Sequence, residues 1–197
     1  MSSIVLPDDL GNRLLAFSSA QGVGLEYNFP KGTKPFRPAA VLMALLFRDG
    51  QWHLLYTHRA ENLHDHSGQV SFPGGSREAQ DENIIETALR ESYEEVGVRP
   101  QDVQIIGQLP SLDLVSFFEV TPVVGVIPWP YAFNISHDEV ARLFTVPLDW
   151  LARPENLVYK DHQLMGSAIR VPYFAPYEGE VIWGATANMT VDLLKLL

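Results

Sequence analysis

Apolar positions along the chain change period several times, and each change marks a new element. Between residues 7 and 20, Leu10, Leu14, Leu15 and Phe17 predict a short amphipathic helix within an N-terminal arm, residues 1–36. Residues 22–38 are rich in Gly and Pro, including Phe29-Pro30-Lys31-Gly32, and read as loop. Residues 39–47 and 52–57 are strand-like runs on either side of Arg48-Asp49-Gly50-Gln51, whose Asp-Gly pair predicts a β-hairpin. Residues 58–68 form a polar connection containing His58, His64 and His66, and residues 70–72 are a short strand halted by Pro73-Gly74-Gly75. A helix follows, with Asp81 as expected N-cap, Glu82 near the positive end of its dipole, and Ile85, Ala88, Leu89 and Val96 on one side. Gly97 is placed to end it.

Downstream, residues 103–109 and 117–127 predict strands, and residues 136–144 a helix capped by Ser136 or Asp138. Residues 169–174 and 180–183 read as further strands, and residues 185–197 as a helix docking on the sheet. Strands with interspersed helices define an α/β class with a mixed β-sheet, expected as a single domain over residues 1–197.

Composition narrows the function. The chain has no cysteine, which removes thiol catalysis, disulfides and thiolate zinc sites, so a metal must sit on oxygen or imidazole. A formal charge of −10 is the wrong sign for tracking a nucleic-acid backbone. The longest purely apolar run, residues 39–47, is too short for a bilayer-spanning helix, and Met1 to Asp9 lacks a basic region before an apolar run. The expectation is a cytoplasmic protein whose partner is a small molecule, with a homodimer left open.

The chemistry-bearing segment is Arg90-Glu91-Ser92-Tyr93-Glu94-Glu95. On a helix, Glu91, Glu94 and Glu95 project from one face, which is costly unless a dication is shared between them. Mg2+ or Mn2+ prefers oxygen ligands and commonly joins a few carboxylates to substrate phosphate oxygens. Glu91 and Glu95, one turn apart, make the best pair, and Arg90 can fix the Glu94 carboxylate by charge-assisted hydrogen bonds. Spacing alone does not separate this face from a solvated surface. The ordered string does: a Pro-Gly-Gly turn, the helix, the Arg-Glu pair and a terminating Gly.

The string from Gly75 to Val98 resembles the Nudix box, Gly-x5-Glu-x7-Arg-Glu-apolar-x-Glu-Glu-x-Gly-apolar. Arg90-Glu91, Glu94-Glu95, Gly97 and Val98 match it, Ser92 stands where an apolar residue is usual, and Gly75 falls one residue early relative to Glu82. That longer loop is similar to the coenzyme A diphosphatase branch. So is the preceding string, Leu55-Tyr56-Thr57-His58-Arg59-Ala60 and Leu63-His64-Asp65-His66-Ser67-Gly68-Gln69-Val70-Ser71-Phe72-Pro73-Gly74-Gly75. Tyr56 departs from a Leu-Leu-Thr start, and His64 stands where Arg is common. Ile182-Trp183-Gly184-Ala185-Thr186-Ala187 continues the resemblance.

The resemblance implies an α/β/α sandwich and Mg2+- or Mn2+-dependent hydrolysis of the diphosphate of coenzyme A or its derivatives. Glu91 and Glu95 would be the principal metal ligands, Glu94 a further or water-mediated one, and the Gly75 carbonyl a fourth contact. Glu94, Glu95 and Arg90 would form the catalytic group, with Arg59, His66, Gly68 and Gly74 binding substrate. The general base stays open between these glutamates and a distant carboxylate such as Glu119 or Glu178. Two alternatives remain: the same chemistry on ADP-ribose, dinucleotide cofactors or nucleoside triphosphates, and a non-catalytic nucleotide-binding regulator.

Overall fold

In the computed structural model, which describes residues 3–19, 35–61, 68–164 and 167–197, the first half runs α1 (Leu10–Ser19), β1 (Arg37–Arg48), β2 (Gln51–Arg59), β3 (Val70–Ser71), β4 (Gly74–Ser76) and α2 (Ile84–Val96). The second half runs β5 (Gln104–Gln108), β6 (Leu112–Asp113), β7 (Phe118–Val126), β8 (Val140–Pro147), α3 (Leu148–Leu151), β9 (Leu157–Leu164), β10 (Ser167–Phe174) and α4 (Gly184–Leu194).

The architecture follows from β1, which is apolar on both faces. Successive strand residues point to opposite sides. Ala40, Leu42, Ala44 and Leu46 accordingly pack in one core with Ala88 and Val96 of α2. Ala39, Met43 and Leu45 pack in the other with Leu10 and Leu14 of α1 and Met189 and Leu193 of α4. A sheet covered on both faces by helices is the expected α/β/α sandwich, and its central strand needs no polar alternation. β1 runs parallel to β7 and antiparallel to β2 and β4, so the sheet is mixed.

The hairpin forms where Asp-Gly placed it. Asp49 and Gly50 have φ of 51° and 82°, the left-handed pair that a two-residue turn uses, and Arg48 faces Gln51 across it. Gly97 caps α2 in a left-handed conformation, and its N–H donates to the carbonyls of Ser92 and Tyr93.

Several expectations require correction. The N-cap of α2 is Asn83, whose Oδ1 accepts from the N–H groups of Ile85 and Glu86, and not Asp81. Residues 136–144 are not a helix. The capping signal yields one turn, in which the Ser136 carbonyl accepts from Glu139 and Val140, and the chain then enters β8. The reason is tertiary: β2 offers an open edge, and residues from Val140 to Pro147 pair along it from Arg59 to His53. Residues 180–183 make only isolated bridges, Glu180 to Tyr177 and Trp183 to Tyr173. β9 was not anticipated, because Leu157–Leu164 is mostly exposed and its polar side chains give no apolar stripe. The expected loop at 22–38 falls largely outside the described residues, its end forming the start of β1, and His64 and His66 also lie outside them. No helix among the described residues is long and apolar enough to cross a membrane.

Candidate active site

The carboxylate-rich face of α2 lies over β4 and the N-terminal half of β1. β4 lies beside β1 through Ala40 opposite Gly75 and Val41 opposite Gly74. The two glycines are needed for different reasons. Gly74 has φ of 156° and no room for a side chain, since a Cβ there would run into the Ala40 carbonyl oxygen and the backbone of Val41. At Gly75 a Cβ would lie 2.5–2.7 Å from the carboxylate atoms of Glu91. The glycine therefore lets that carboxylate pack directly against the backbone of β4.

Glu95 is 3 % exposed, and its Oε2 accepts from the Gly74 N–H at 3.2 Å. Burial pushes its pKa up to about 8, against the opposing pull of Arg59 and the Gly74 N–H and with the charges of Glu139 and Glu91 adding to the rise. Burial likewise raises Glu91 above the ordinary carboxylate value, opposed by Arg90 and reinforced by Glu94 and Glu139. Arg59 Nη1 stands 3.8 Å from Glu95 Oε1, and its Nε is buried without a hydrogen-bond partner. Buried carboxylates short of positive charge are a free-energy cost, which a bound cation would offset.

Arg90 organises the helix face. Its Nη1 donates to Glu91 Oε1 at 2.9 Å and to Glu94 Oε2 at 3.0 Å, and its Nη2 donates to the Ser76 carbonyl at 3.0 Å. It also holds Asp81 with two parallel bonds, Nε to Oδ1 at 2.9 Å and Nη2 to Oδ2 at 3.0 Å. The guanidinium holds the Asp81 carboxyl well below the usual carboxylate range, and Asp81 in turn raises Arg90. Asp81 further accepts from the Glu78 N–H and the Thr87 hydroxyl, so its work is to fasten the loop before α2 to the helix. At Ser92, where an apolar side chain is usual, the buried hydroxyl donates to the Ala88 carbonyl at 2.6 Å, so it is satisfied within its own helix.

The structure brings Arg90, Glu91, Glu94, Glu95, Gly74, Gly75 and Arg59 together. Gly68, with φ of 68°, lies near His58, and His58 Nδ1 is bonded to Glu180 at 2.7 Å. His66 is outside the described residues. Of the distant carboxylates, Glu178 is paired with Arg142 at 2.7 Å and Glu119 is exposed on β7. The one whose charge bears on both Glu91 and Glu95 is Glu139, which the sequence did not single out. Its position is fixed by backbone bonds: Ser136 N–H to the Glu95 carbonyl, Glu139 N–H to the Ser136 carbonyl, and Ala60 N–H to the Glu139 carbonyl. Only its place before a strand pairing with the Arg59 end of β2 could have pointed to it.

Among the described residues no three His, Asp or Glu side chains form a ready cage for a metal. Mg2+ takes one or two carboxylates and completes its shell with water and substrate phosphates. The all-oxygen donor set and the two carboxylates that burial leaves short of positive charge, Glu91 and Glu95, fit such an ion.

This fold, with a glycine turn feeding an acidic helix, defines a hydrolase of phosphoric anhydrides, and residues 36–165 match the model of the NUDIX domain. The chain belongs to the Nudix family and is a pyrophosphohydrolase; enzymes of this family generally use divalent cations. It is 44 % identical over 157 residues to a protein of Pectobacterium atrosepticum described as "Uncharacterized Nudix hydrolase NudL", covering 80 % of this chain and 81 % of the relative. A protein of the same description from an Enterobacter species is 43 % identical over the same shares. The crystal structure of a Nudix hydrolase from M. smegmatis, RenU, superposes with a TM-score of 0.51 at 21 % identity, covering 61 % of this chain and 76 % of that one, a likeness of fold.

Proposed function

We propose that the chain hydrolyses the diphosphate of coenzyme A or a derivative, releasing phosphopantetheine, with any acyl group it carries, and adenosine 3′,5′-bisphosphate. The observation that carries this reading is the position of Arg59: the basic residue of the coenzyme A-type string lies 3.8 Å from Glu95 and lines one cavity with Gly74, Gly75 and Ser76.

Glu91 and Glu95 would hold Mg2+ or Mn2+, with Glu94 and the Gly75 carbonyl as further contacts. The bound ion supplies a lowered water pKa and neutralises charge on phosphate oxygens. Arg59, with its unpartnered Nε, would hold a phosphate oxygen, and the Gly74–Gly75 backbone allows the diphosphate to approach closely. Arg90 is a positioning residue, setting Glu91 and Glu94. Glu139, close enough to influence both metal-binding carboxylates, is the general base in this reading. It takes a proton from the water whose oxygen attacks one phosphorus, while the bond from that phosphorus to the bridging oxygen breaks and the bridging oxygen leaves on the second phosphate.

The test is a substrate panel with purified chain and Mg2+ or Mn2+, read by product mass: coenzyme A, its acyl thioesters, ADP-ribose, dinucleotides and nucleoside triphosphates. Phosphopantetheine and adenosine 3′,5′-bisphosphate are the expected products. Intact coenzyme A alongside cleaved ADP-ribose or a dinucleotide would overturn the coenzyme A assignment and leave the anhydride chemistry. Binding across the panel without any cleavage would overturn the enzyme reading in favour of a regulator.

A further inference from the structure

His58 and Arg59 are neighbours on β2 and point to opposite faces of the sheet, as successive strand residues must. Arg59 faces Glu95. His58 faces a second ionic cluster, built on the Glu180 carboxylate, which is only 11 % exposed at the side chain. Glu180 Oε2 lies 2.7 Å from His58 Nδ1, and its Oε1 lies 3.1 Å from Arg142 Nη1. An ionised carboxylate only accepts, so both neighbours donate to it. His58 and Arg142 stand opposite each other across β2 and β8, and Glu180 thus bridges two paired strands of the main sheet. The proposed reaction uses none of these three side chains.

Glu180 belongs to a segment that comes from outside that sheet. β9 and β10 pair with each other in a separate two-stranded sheet. The chain leaving β10 is bonded back to it, with the Phe174 N–H on the Ile182 carbonyl at 2.8 Å and Trp183 bridged to Tyr173. Between these points Tyr177 and Glu180 exchange two N–H to carbonyl bonds of 2.9 Å around a tight turn. Arg142 also donates to the Glu178 carbonyl and carboxylate in this turn, but the Glu178 side chain is 58 % exposed, so that ion pair adds little. The largely buried Glu180 is the stronger anchor of the turn to the main sheet.

Three residues beyond Glu180 the chain reaches the cavity that holds Arg59 and Gly74–Ser76. Trp183, which begins α4, and Gly184, Ala185 and Thr186 of its first turn all line it. The Thr186 hydroxyl donates to the Val70 carbonyl at 3.0 Å, and Val70 pairs with His58. Trp183–Ala185 is therefore slung between two anchors, Glu180 and Thr186, which end at His58 and at the residue paired with it. A change at Glu180 reaches this wall without touching the α2 glutamates, which Arg90 and Gly74 hold on the opposite face of the sheet. We propose that Glu180 is a positioning residue for substrate binding: it fixes the Trp183–Thr186 wall relative to Arg59 and the glycine turn, so that this wall grips the part of the substrate beyond its diphosphate. The inference rests on the reading that places the diphosphate at Arg59 and Gly74–Gly75, and it does not depend on which organic group the substrate carries.

The test compares Glu180→Gln with the unaltered full chain, in excess Mg2+, on two ligands. Coenzyme A serves as substrate, and methylenediphosphonate, a non-cleavable diphosphate with no organic group, as competitive inhibitor. KM for coenzyme A should rise by about tenfold with kcat within about twofold, the pattern of lost uniform binding. The inhibition constant of methylenediphosphonate should stay within about twofold, because it meets only the metal, Arg59 and the glycine turn. Arg142→Gln, at a half-exposed position that does not threaten folding, removes one of the two donors to Glu180 and should raise KM by about threefold. A general loosening of the site would weaken both ligands or lower kcat, and either result overturns the inference, as does an unchanged KM. If the unaltered chain leaves coenzyme A intact and cleaves another member of the substrate panel, the coenzyme A reading fails and that compound takes its place in the comparison. If it cleaves nothing, the proposed reaction fails, and calorimetric Kd values of coenzyme A and methylenediphosphonate decide: a loss in Glu180→Gln confined to coenzyme A upholds the positioning role, and any other result overturns it.

Discussion

Asp81 and Arg90 are joined by two parallel hydrogen bonds of 2.9 and 3.0 Å, with Asp81 3 % and Arg90 16 % exposed at the side chain. Through this pair the loop that follows the glycine turn is fixed to the residue that sets Glu91 and Glu94. Asp81→Asn separates this role from helix capping, because Asn is as good an N-cap as Asp. If Asp81 were a cap, the substitution would be nearly neutral. Loss of the charge should instead cost about 2 kcal/mol in denaturant unfolding, since the guanidinium loses its two-bond carboxylate partner and keeps only Glu91, Glu94 and the Ser76 carbonyl.

Glu139→Gln keeps shape and removes the proton acceptor. With Mg2+ saturating, kcat should fall by about a hundredfold or more while KM changes little. Glu119→Gln and Glu178→Gln, at positions on an exposed strand and in an Arg142 pair, should leave kcat within about twofold, the usual range for surface changes. A full-rate Glu139→Gln enzyme would remove Glu139 from the mechanism.

Gly75→Ala tests the close packing of the Glu91 carboxylate on Gly75. Its backbone does not need a left-handed conformation, so the chain should fold, but the methyl would arrive 2.5–2.7 Å from the Glu91 carboxylate and displace it. Metal affinity, measured by titration, should weaken by about ten- to a hundredfold. Gly74→Ala should instead destabilise the fold, because its Cβ would collide with the β1 backbone at Ala40 and Val41, which cannot move independently of the sheet. Unaltered metal binding in Gly75→Ala would remove Glu91 from the ligand set.

Stability should depend on pH with a definite sign. The folded pKa of Glu95 is raised to about 8 from an ordinary 4.5. A group with a higher pKa when folded stabilises fully below its unfolded value, and that contribution is lost as pH rises through the folded one. The metal-free chain should therefore lose thermal stability between about pH 5 and pH 8. A divalent cation binds the deprotonated carboxylate, so the gain in Tm on adding Mg2+ should be larger at pH 8 than at pH 5.5, on the order of several degrees. A metal-induced shift independent of pH would mean that Glu95 does not bind the ion.

The sequence by itself determined the parts whose cause is local. The Asp49-Gly50 hairpin, the left-handed Gly97 cap and the i, i+3, i+4 grouping of Glu91, Glu94 and Glu95 follow from backbone geometry and helical period, which neighbours in the chain fix. The two-faced apolar run of β1 likewise announced a covered sheet. Tertiary structure decided whatever depends on a partner far along the chain. Residues 136–144 carry a plausible capping signal, yet β8 pairs with β2, since an open strand edge outweighs a single turn. Asp81 looks like a cap in sequence and is claimed by Arg90, because a bidentate ion pair is stronger than a bond to a helix N–H that Asn83 can satisfy. Glu139 and the cavity beside Arg59 have no local signature. Glu139 reaches the acidic pair only because the fold bonds Ser136 to Glu95 and Ala60 to Glu139, and the cavity exists only where β10 and α4 close against β1 and β4.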